Sequence, residues 1–171
     1  QGNSTAQNNL GNMYADGRGV LENDKTAVKW YTLAAEQGNA AAQYNLASMY
    51  DHGEGVSEND KTAVKWYTLA AEQGDADAQN NLGLMYVDGE GVTKNFETAV
   101  KWYTLAAEQG DADGQYNMGV MYENGEGVSK NDKTAVKWYT LAAEQGDVDA
   151  QNKLGIMYAL GEGVLKNDKT A

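Results

Sequence analysis

The residues best suited to chemistry in this chain sit in short, acidic, glycine-containing segments: Asp51-His52-Gly53-Glu54 and Asp88-Gly89-Glu90. Carboxylates grouped on a turn could hold a divalent cation. A calcium loop, however, alternates oxygen ligands and closes on a bidentate Glu at its twelfth position, and neither segment has that spacing. Turns and helix caps call for the same Asp, Asn and Gly residues, so no metal ligand is assigned. His52 is the single histidine, and nothing around it in sequence supplies the rest of a catalytic triad. None of Ser4, Ser48, Ser57 and Ser129 begins a Ser-x-x-Lys segment, the nucleophile signature of penicillin-recognising enzymes. Gly-x-Gly recurs, but after helical patterns instead of strands, which is the wrong setting for a dinucleotide. No catalytic or cofactor-binding residue is assigned and no cofactor is expected. The chain reads as a non-enzyme, with a hydrolase or lactam-binding enzyme ranked last among its readings.

The elements that carry these segments follow from self-similarity, which is sought first because a fixed period decides the fold. TAVKWYTLAAEQG occurs four times, beginning at Thr26, Thr62, Thr98 and Thr134, each copy 36 residues after the last. Gln7, Gln43, Gln79, Gln115 and Gln151 lead a second recurring block, and Gly-x-Gly-Val recurs at Gly17, Gly53, Gly89, Gly125 and Gly161. The whole chain reads as one repeat array, with units at about 3–38, 39–74, 75–110, 111–146 and an incomplete 147–171. Both ends cut through a unit, and the chain opens on Gln1 in place of Met. A piece of a longer array, or an array whose terminal caps have been left off, is the expectation, with an upstream segment removed.

Each unit should hold two helices. In residues 24–37, Ala27, Val28, Trp30, Tyr31, Leu33, Ala34 and Ala35 fill a wide apolar arc, while Lys25, Lys29, Thr32 and Glu36 form a narrow opposite stripe. An arc this wide suits a helix packed on several sides, with the four tryptophans in the core and the invariant stripe solvated. Asn23 is placed to cap the helix start and Gly38 to end it. The first helix spans about Ser4 to Ala15, with Asn39, Asp75, Asp111 and Asp147 capping the later copies. Ala6, Leu10, Met13 and Tyr14 share its packing face, Gly11 keeps a small side chain at a close helix approach, and Asn8, Asn12, Ala15 and Asp16 lie opposite. The Gly-x-Gly-Val link supplies the positive φ angles needed to reverse the chain, and its valine returns to the core. A unit this small buries too little surface alone, so stacking must provide the core. The fold class is all-α: an α/α solenoid, a right-handed superhelix of tandem 36-residue helix–turn–helix units with first helices inside.

Composition narrows the partners. Apolar residues make up 42% and charged residues 22%, with no run long enough to span a bilayer. A formal net charge of −12 disfavours nucleic acid and anionic membrane surfaces, both of which demand Lys and Arg. It favours a basic protein or peptide. The chain has no cysteine and so no disulfide or thiolate chemistry. Periplasmic, secreted and cytoplasmic settings are all compatible with it.

The pattern A-x-x-x-L-G-x-M-Y-x-x-G-x-G-V followed by A-V-K-W-Y-x-x-A-A-E-Q-G resembles the Sel-one-like repeat, a branch of the tetratricopeptide-like superfamily. In the first unit Leu10, Gly11, Tyr14, Gly17, Gly19, Ala27, Trp30, Tyr31, Ala34, Ala35 and Gly38 match the family's packing positions. The resemblance implies an α/α solenoid used as an adaptor in assembly and signalling, often in bacteria. A similar cysteine-rich branch, associated with penicillin binding, staples each repeat with a disulfide, which this chain cannot form.

The copies differ mainly on the outward face of the first helix. One row reads Asn8, Tyr44, Asn80, Tyr116, Asn152; the next Asn12, Ser48, Leu84, Val120, Ile156; a third Ala15, Asp51, Val87, Glu123, Ala159. The expected binding face is the concave groove. Tyr44, Leu84, Tyr116, Val120 and Ile156 supply apolar contact there, Asp51, Asp88 and Glu123 attract basic side chains, and Ser48, Asn80, Val87 and Asn152 complete it. Other readings stay open. These residues could seal adjacent first helices or have drifted neutrally after a recent duplication, and the array could be a structural spacer or a rod that associates with itself end to end.

Overall fold

The computed structural model describes residues 2–165. Among these residues every regular element is a helix: α1 (Ser4–Ala15), α2 (Asp24–Ala35), α3 (Ala40–His52), α4 (Asp60–Glu72), α5 (Ala76–Asp88), α6 (Phe96–Glu108), α7 (Ala112–Asn124), α8 (Asp132–Glu144) and α9 (Val148–Leu160). The expected start of a fifth second helix, at residues 166–171, lies outside the described residues. The fold is of the all-α solenoid class, built from repeats of about 36 residues. Two compact units are present, Gln1–Lys94 and Asn95–Ala171. In the first, α1 to α5 pack each on the next; in the second, α6 to α9 do the same.

Helix starts follow the sequence closely. Asn3, Asn23, Asn39, Asn59, Asp75, Asn95, Asp111, Asn131 and Asp147 each accept, through the side chain, the backbone N–H three residues on. An unpaired donor of the first turn is satisfied this way. The later first helices stop on a glycine in the left-handed conformation, Gly53 at φ 69° being one. The second glycine of each later link, Gly55, Gly91, Gly127 and Gly163, has an additional task. A Cβ on Gly55 would lie 2.4 Å from the carbonyl carbon of Asp24, at the start of the preceding second helix. The link therefore joins one repeat to the one before it.

In the first unit Ala27, Val28, Tyr31, Ala34 and Ala35 of α2 meet Ala42, Leu46 and Met49 of α3, with Tyr14, Tyr50 and Val56 packed against them. In the second unit Ala135, Val136, Tyr139 and Ala142 of α8 meet Ala150 and Met157 of α9. The small residue at Gly11 has a definite cause: a Cβ there would come within 2.5 Å of the Tyr31 ring. The tryptophans depart from expectation. Trp30, Trp66, Trp102 and Trp138 are half-buried, whereas the neighbouring Tyr31, Tyr67, Tyr103 and Tyr139 are buried. Leu33, Leu69, Leu105 and Leu141, placed in the buried arc by periodicity, stand exposed. The arc is wider than the neighbouring helices cover, so its edges reach water. The opposite stripe is solvated at Lys29 and Glu36, while Thr32 is half-buried and donates its hydroxyl to the Val28 carbonyl.

A glutamine pair repeats through both units. Gln43, Gln79, Gln115 and Gln151 each donate Nε2 to the final-turn carbonyl of the preceding second helix: Ala35, Ala71, Ala107 and Ala143. Gln73 and Gln145 in turn donate to the Oε1 atoms of Gln43 and Gln115. No buried side-chain nitrogen or oxygen among the described residues is left without a partner. An unmatched buried group would cost about 1–3 kcal/mol.

Candidate functional site

The variable positions fall on two separate sets of helices. Tyr44, Ser48 and Asp51 lie on α3, and Asn80, Leu84, Val87 and Asp88 on α5, all in the first unit. Tyr116, Val120 and Glu123 lie on α7, and Asn152 and Ile156 on α9, in the second.

Part of this set is committed to the fold. In α1 and α2, Tyr31 donates its hydroxyl to Asn12 Oδ1 (2.8 Å), and Asn45 Nδ2 of α3 donates to Asn8 Oδ1 (3.0 Å) and Asn12 Oδ1 (3.2 Å). Further along, Tyr67 of α4 donates to Asp51 Oδ2 (3.3 Å) and Asn81 Nδ2 of α5 donates to the same phenol (3.4 Å). In the second unit Tyr139 of α8 donates to Glu123 Oε2 (2.5 Å). Lys153 of α9 donates to both Glu123 oxygens, at 3.1 and 3.0 Å. A tyrosine of the second helix thus projects its hydroxyl between two successive first helices, and polar side chains on both fasten to it. Two ring contacts accompany this seam, Tyr44 with Tyr67 at 5.8 Å and Tyr116 with Tyr139 at 5.6 Å between centroids.

Several positions of the expected binding face take part in this seam or lie buried. Asn80 is only 5% exposed. Asn8, placed on the open face by periodicity, is buried as well. Tyr44 and Tyr116 are half-buried against the second-helix tyrosines. Asp51 and Glu123 spend hydrogen-bonding capacity inside the molecule, because a buried phenol needs an acceptor and these carboxylates are the nearest. Sequence reasoning passed over the seam's other half: Asn45, Asn81 and Lys153, from a row reading Asn9, Asn45, Asn81, Asn117, Lys153. A signal was present, since Asn is a poor helix-interior residue and four copies keep it there.

Another part is open. Leu84 is 38% and Ile156 55% exposed. Asp88 and Asn152 are exposed, while Ser48 and Val87 are half-buried. Val120 packs against the core of the second unit. His52 is exposed and bonds the Ser48 carbonyl through Nδ1 (3.0 Å), so its role is at the end of α3.

The electrostatics divide in the same way. Burial disfavours the Glu123 charge, but hydrogen bonds from Tyr139 and Lys153 outweigh it and hold the carboxyl below its ordinary range. Burial, then the Asp51 charge, pushes the Tyr67 phenol well up, and burial with the Glu123 bond does the same to Tyr139. Glu90 is lifted by desolvation and then by Asp88, Asp60, Asp51 and Glu58. These acids make one negative neighbourhood in the first unit. No group of three His, Cys, Asp or Glu side chains among the described residues is placed to hold a metal ion. No helix among them is long and apolar enough to cross a membrane.

The Sel1 repeat family matches the chain at residues 4–39, 40–75, 76–111, 112–147 and 148–171, boundaries one residue later than periodicity alone sets. A Sel1 repeat protein from Oxalobacter formigenes is 43% identical with a TM-score of 0.94, over 98% of this chain and 67% of that one. A protective antigen present in uropathogenic Escherichia coli strains, displaying an SLR fold, is 40% identical with a TM-score of 0.94; this chain is covered to 98% and spans 36% of that protein's length. Helicobacter pylori cysteine rich protein B is more distant, at 29% identity and a TM-score of 0.61, over 76% of this chain and 93% of that one. No curated protein matches the chain. Sel1 repeats are tetratricopeptide-like, typically non-enzymatic, and generally serve as protein-interaction scaffolds. By five successive matches that take in nearly every residue, this chain belongs to the Sel1 repeat family.

Proposed function

We propose that this chain is a protein-interaction scaffold that takes an extended peptide or partner helix on the open face of its first helices. One observation carries the reading: large apolar side chains, Leu84 and Ile156, stand exposed where the repeats differ from one another. An identical surface on every repeat cannot fix a partner's register, whereas a varied row can. Val87, Val120 and Tyr116 extend the apolar contact within their own units, and Ser48, Asp88 and Asn152 add polar edges. Asp51 and Glu123 act mainly by keeping the seam rigid. The acidic neighbourhood of Asp51, Glu58, Asp60, Asp88 and Glu90, with a net charge of −12, supports a partner carrying basic side chains. Exposed apolar residues of this kind commonly supply the anchors of an interface.

The test is a triple substitution, Leu84→Ser, Val120→Ser and Ile156→Ser, in pull-down from the native source. The bound proteins should be lost while circular dichroism keeps its helical signature. Unaltered capture with an intact fold overturns the assignment.

A further inference from the structure

The second helices carry an exposed row that the fold does not use. Leu33, Leu69, Leu105 and Leu141 are 36–45% exposed, each one turn after a half-buried tryptophan. Lys29, Lys65, Lys101 and Lys137 stand exposed one turn before these leucines, and Glu36, Glu72, Glu108 and Glu144 one turn after them. Among the described residues none of these charged side chains enters a salt bridge. Lys65 lies over the Trp66 ring at 5.0 Å, a contact that leaves its N–H donors unpaired.

The order of charges along each helix is self-complementary. From helix geometry, Lys29 and Glu36 lie about 40° and about 60° to the same side of Leu33, roughly 6 Å before it and roughly 4.5 Å beyond it. A second copy turned end for end about Leu33 brings its Glu36 over Lys29, its Lys29 over Glu36, and leucine over leucine. Trp30 and Gln37, on the other side of Leu33, exchange places in the same way. A parallel arrangement would set Lys29 against Trp30 and Glu36 against Gln37, with the charges unmatched. Local charge agrees. The chain carries −12, yet residues 24–36 balance Lys25 and Lys29 against Asp24 and Glu36, and residues 60–72 and 132–144 repeat that balance. Two acidic copies therefore meet least repulsion on this row.

We infer that the exposed row of the second helices is a self-association surface, on which two copies of this chain pair with their second helices antiparallel. Leucine packs on leucine at the centre, and lysine meets glutamate on either side. Both copies use the same patch, so pairing closes at a dimer. A row that is identical in every repeat cannot select among foreign partners, but it suits a partner that is the same chain. The surface is separate from the open face of Leu84 and Ile156, and it stands or falls independently of that reading.

Sedimentation equilibrium on the intact chain reads the pairing. The mass should rise with concentration towards twice that of the monomer, with association evident below about 1 mM. One variant carries K29E, K65E, K101E and K137E; another carries E36K, E72K, E108K and E144K. Each should weaken pairing at least about tenfold, and an equimolar mixture of the two should recover it. The second variant is less negative than the unaltered chain, so net repulsion cannot explain its loss of pairing. The exchanged side chains are exposed, and circular dichroism should show the helices intact in both. A monomer at every concentration overturns the inference. So does pairing that both charge reversals leave unchanged, a mixture that fails to recover it, or growth past the dimer.

Discussion

Tyr139 donates its hydroxyl to Glu123, and Lys153 from the next first helix closes on both oxygens of the same carboxylate. Three successive helices of the second unit are joined at one acidic side chain. Hydrogen bonds to a charged group contribute about 1.5–3 kcal/mol. Tyr139→Phe should therefore lower stability by about 2 kcal/mol in urea denaturation. A double-mutant cycle with Glu123→Gln should return a coupling of about 1 kcal/mol. Strict additivity would show that the bond contributes nothing.

The same carboxylate sets a low-pH dependence. Folding holds Glu123 ionised more firmly than the unfolded chain does. Its contribution is complete above the unfolded pKa of about 4.3. It drains away as pH falls through the lower folded value. Wild-type protein should lose more stability than Glu123→Gln between about pH 5 and pH 3, measured as urea midpoints. Parallel losses would contradict the assignment.

The buried phenols act in the alkaline range. Burial, assisted by Asp16, raises Tyr31 to about 12, and Tyr67 and Tyr139 are pushed further. A raised phenol pKa leaves stability intact below the unfolded value of about 10. Above that pH the unfolded chain ionises first and stability falls. Ultraviolet titration of the wild type against Tyr31→Phe, Tyr67→Phe and Tyr139→Phe should show these three phenols ionising only as the protein unfolds. Ionisation of any of the three while the fold persists would rule this out.

Two glycines with the same backbone should respond differently to alanine. Gly19 (φ 76°) and Gly55 (φ 68°) are both left-handed, and a side chain at either costs about 1–2 kcal/mol. Only Gly55 also presses on Asp24. Gly55→Ala should be the more damaging by at least about 1 kcal/mol, since the neighbour there is backbone and cannot rotate away. Equal thermal midpoints for the two variants would refute the inter-repeat role of the link.

Leu84→Ser should separate binding from folding. Its side chain is exposed, and surface changes of this kind stay within about 0.5 kcal/mol. Partner capture should weaken while the thermal midpoint stays put. Asn81→Leu, which removes a seam donor to Tyr67, should do the reverse.

Much of this was legible from spacing alone. Asn23 and Asp75 cap helices as their positions implied, and the first helix runs over Ser4–Ala15 as read. These features are local, set by side chains within one turn of the backbone they satisfy. The candidate face was less legible. Asn80 and Leu84 are one helical turn apart and both belong to rows that vary between repeats, yet one is buried and the other exposed. Periodicity gives the direction of a side chain from its own helix axis and is silent on what arrives from elsewhere.

What the sequence determined by itself is the repeat, its two helices, their caps and the glycine links, because each depends on contacts between residues close along the chain. Tertiary structure alone decided which positions became seam and which stayed surface. A phenol such as Tyr67 must find an acceptor once it is buried, and that acceptor, Asp51, lies 16 residues away on another helix. Burial belongs to the pair of surfaces that meet, and only the fold brings both of them together.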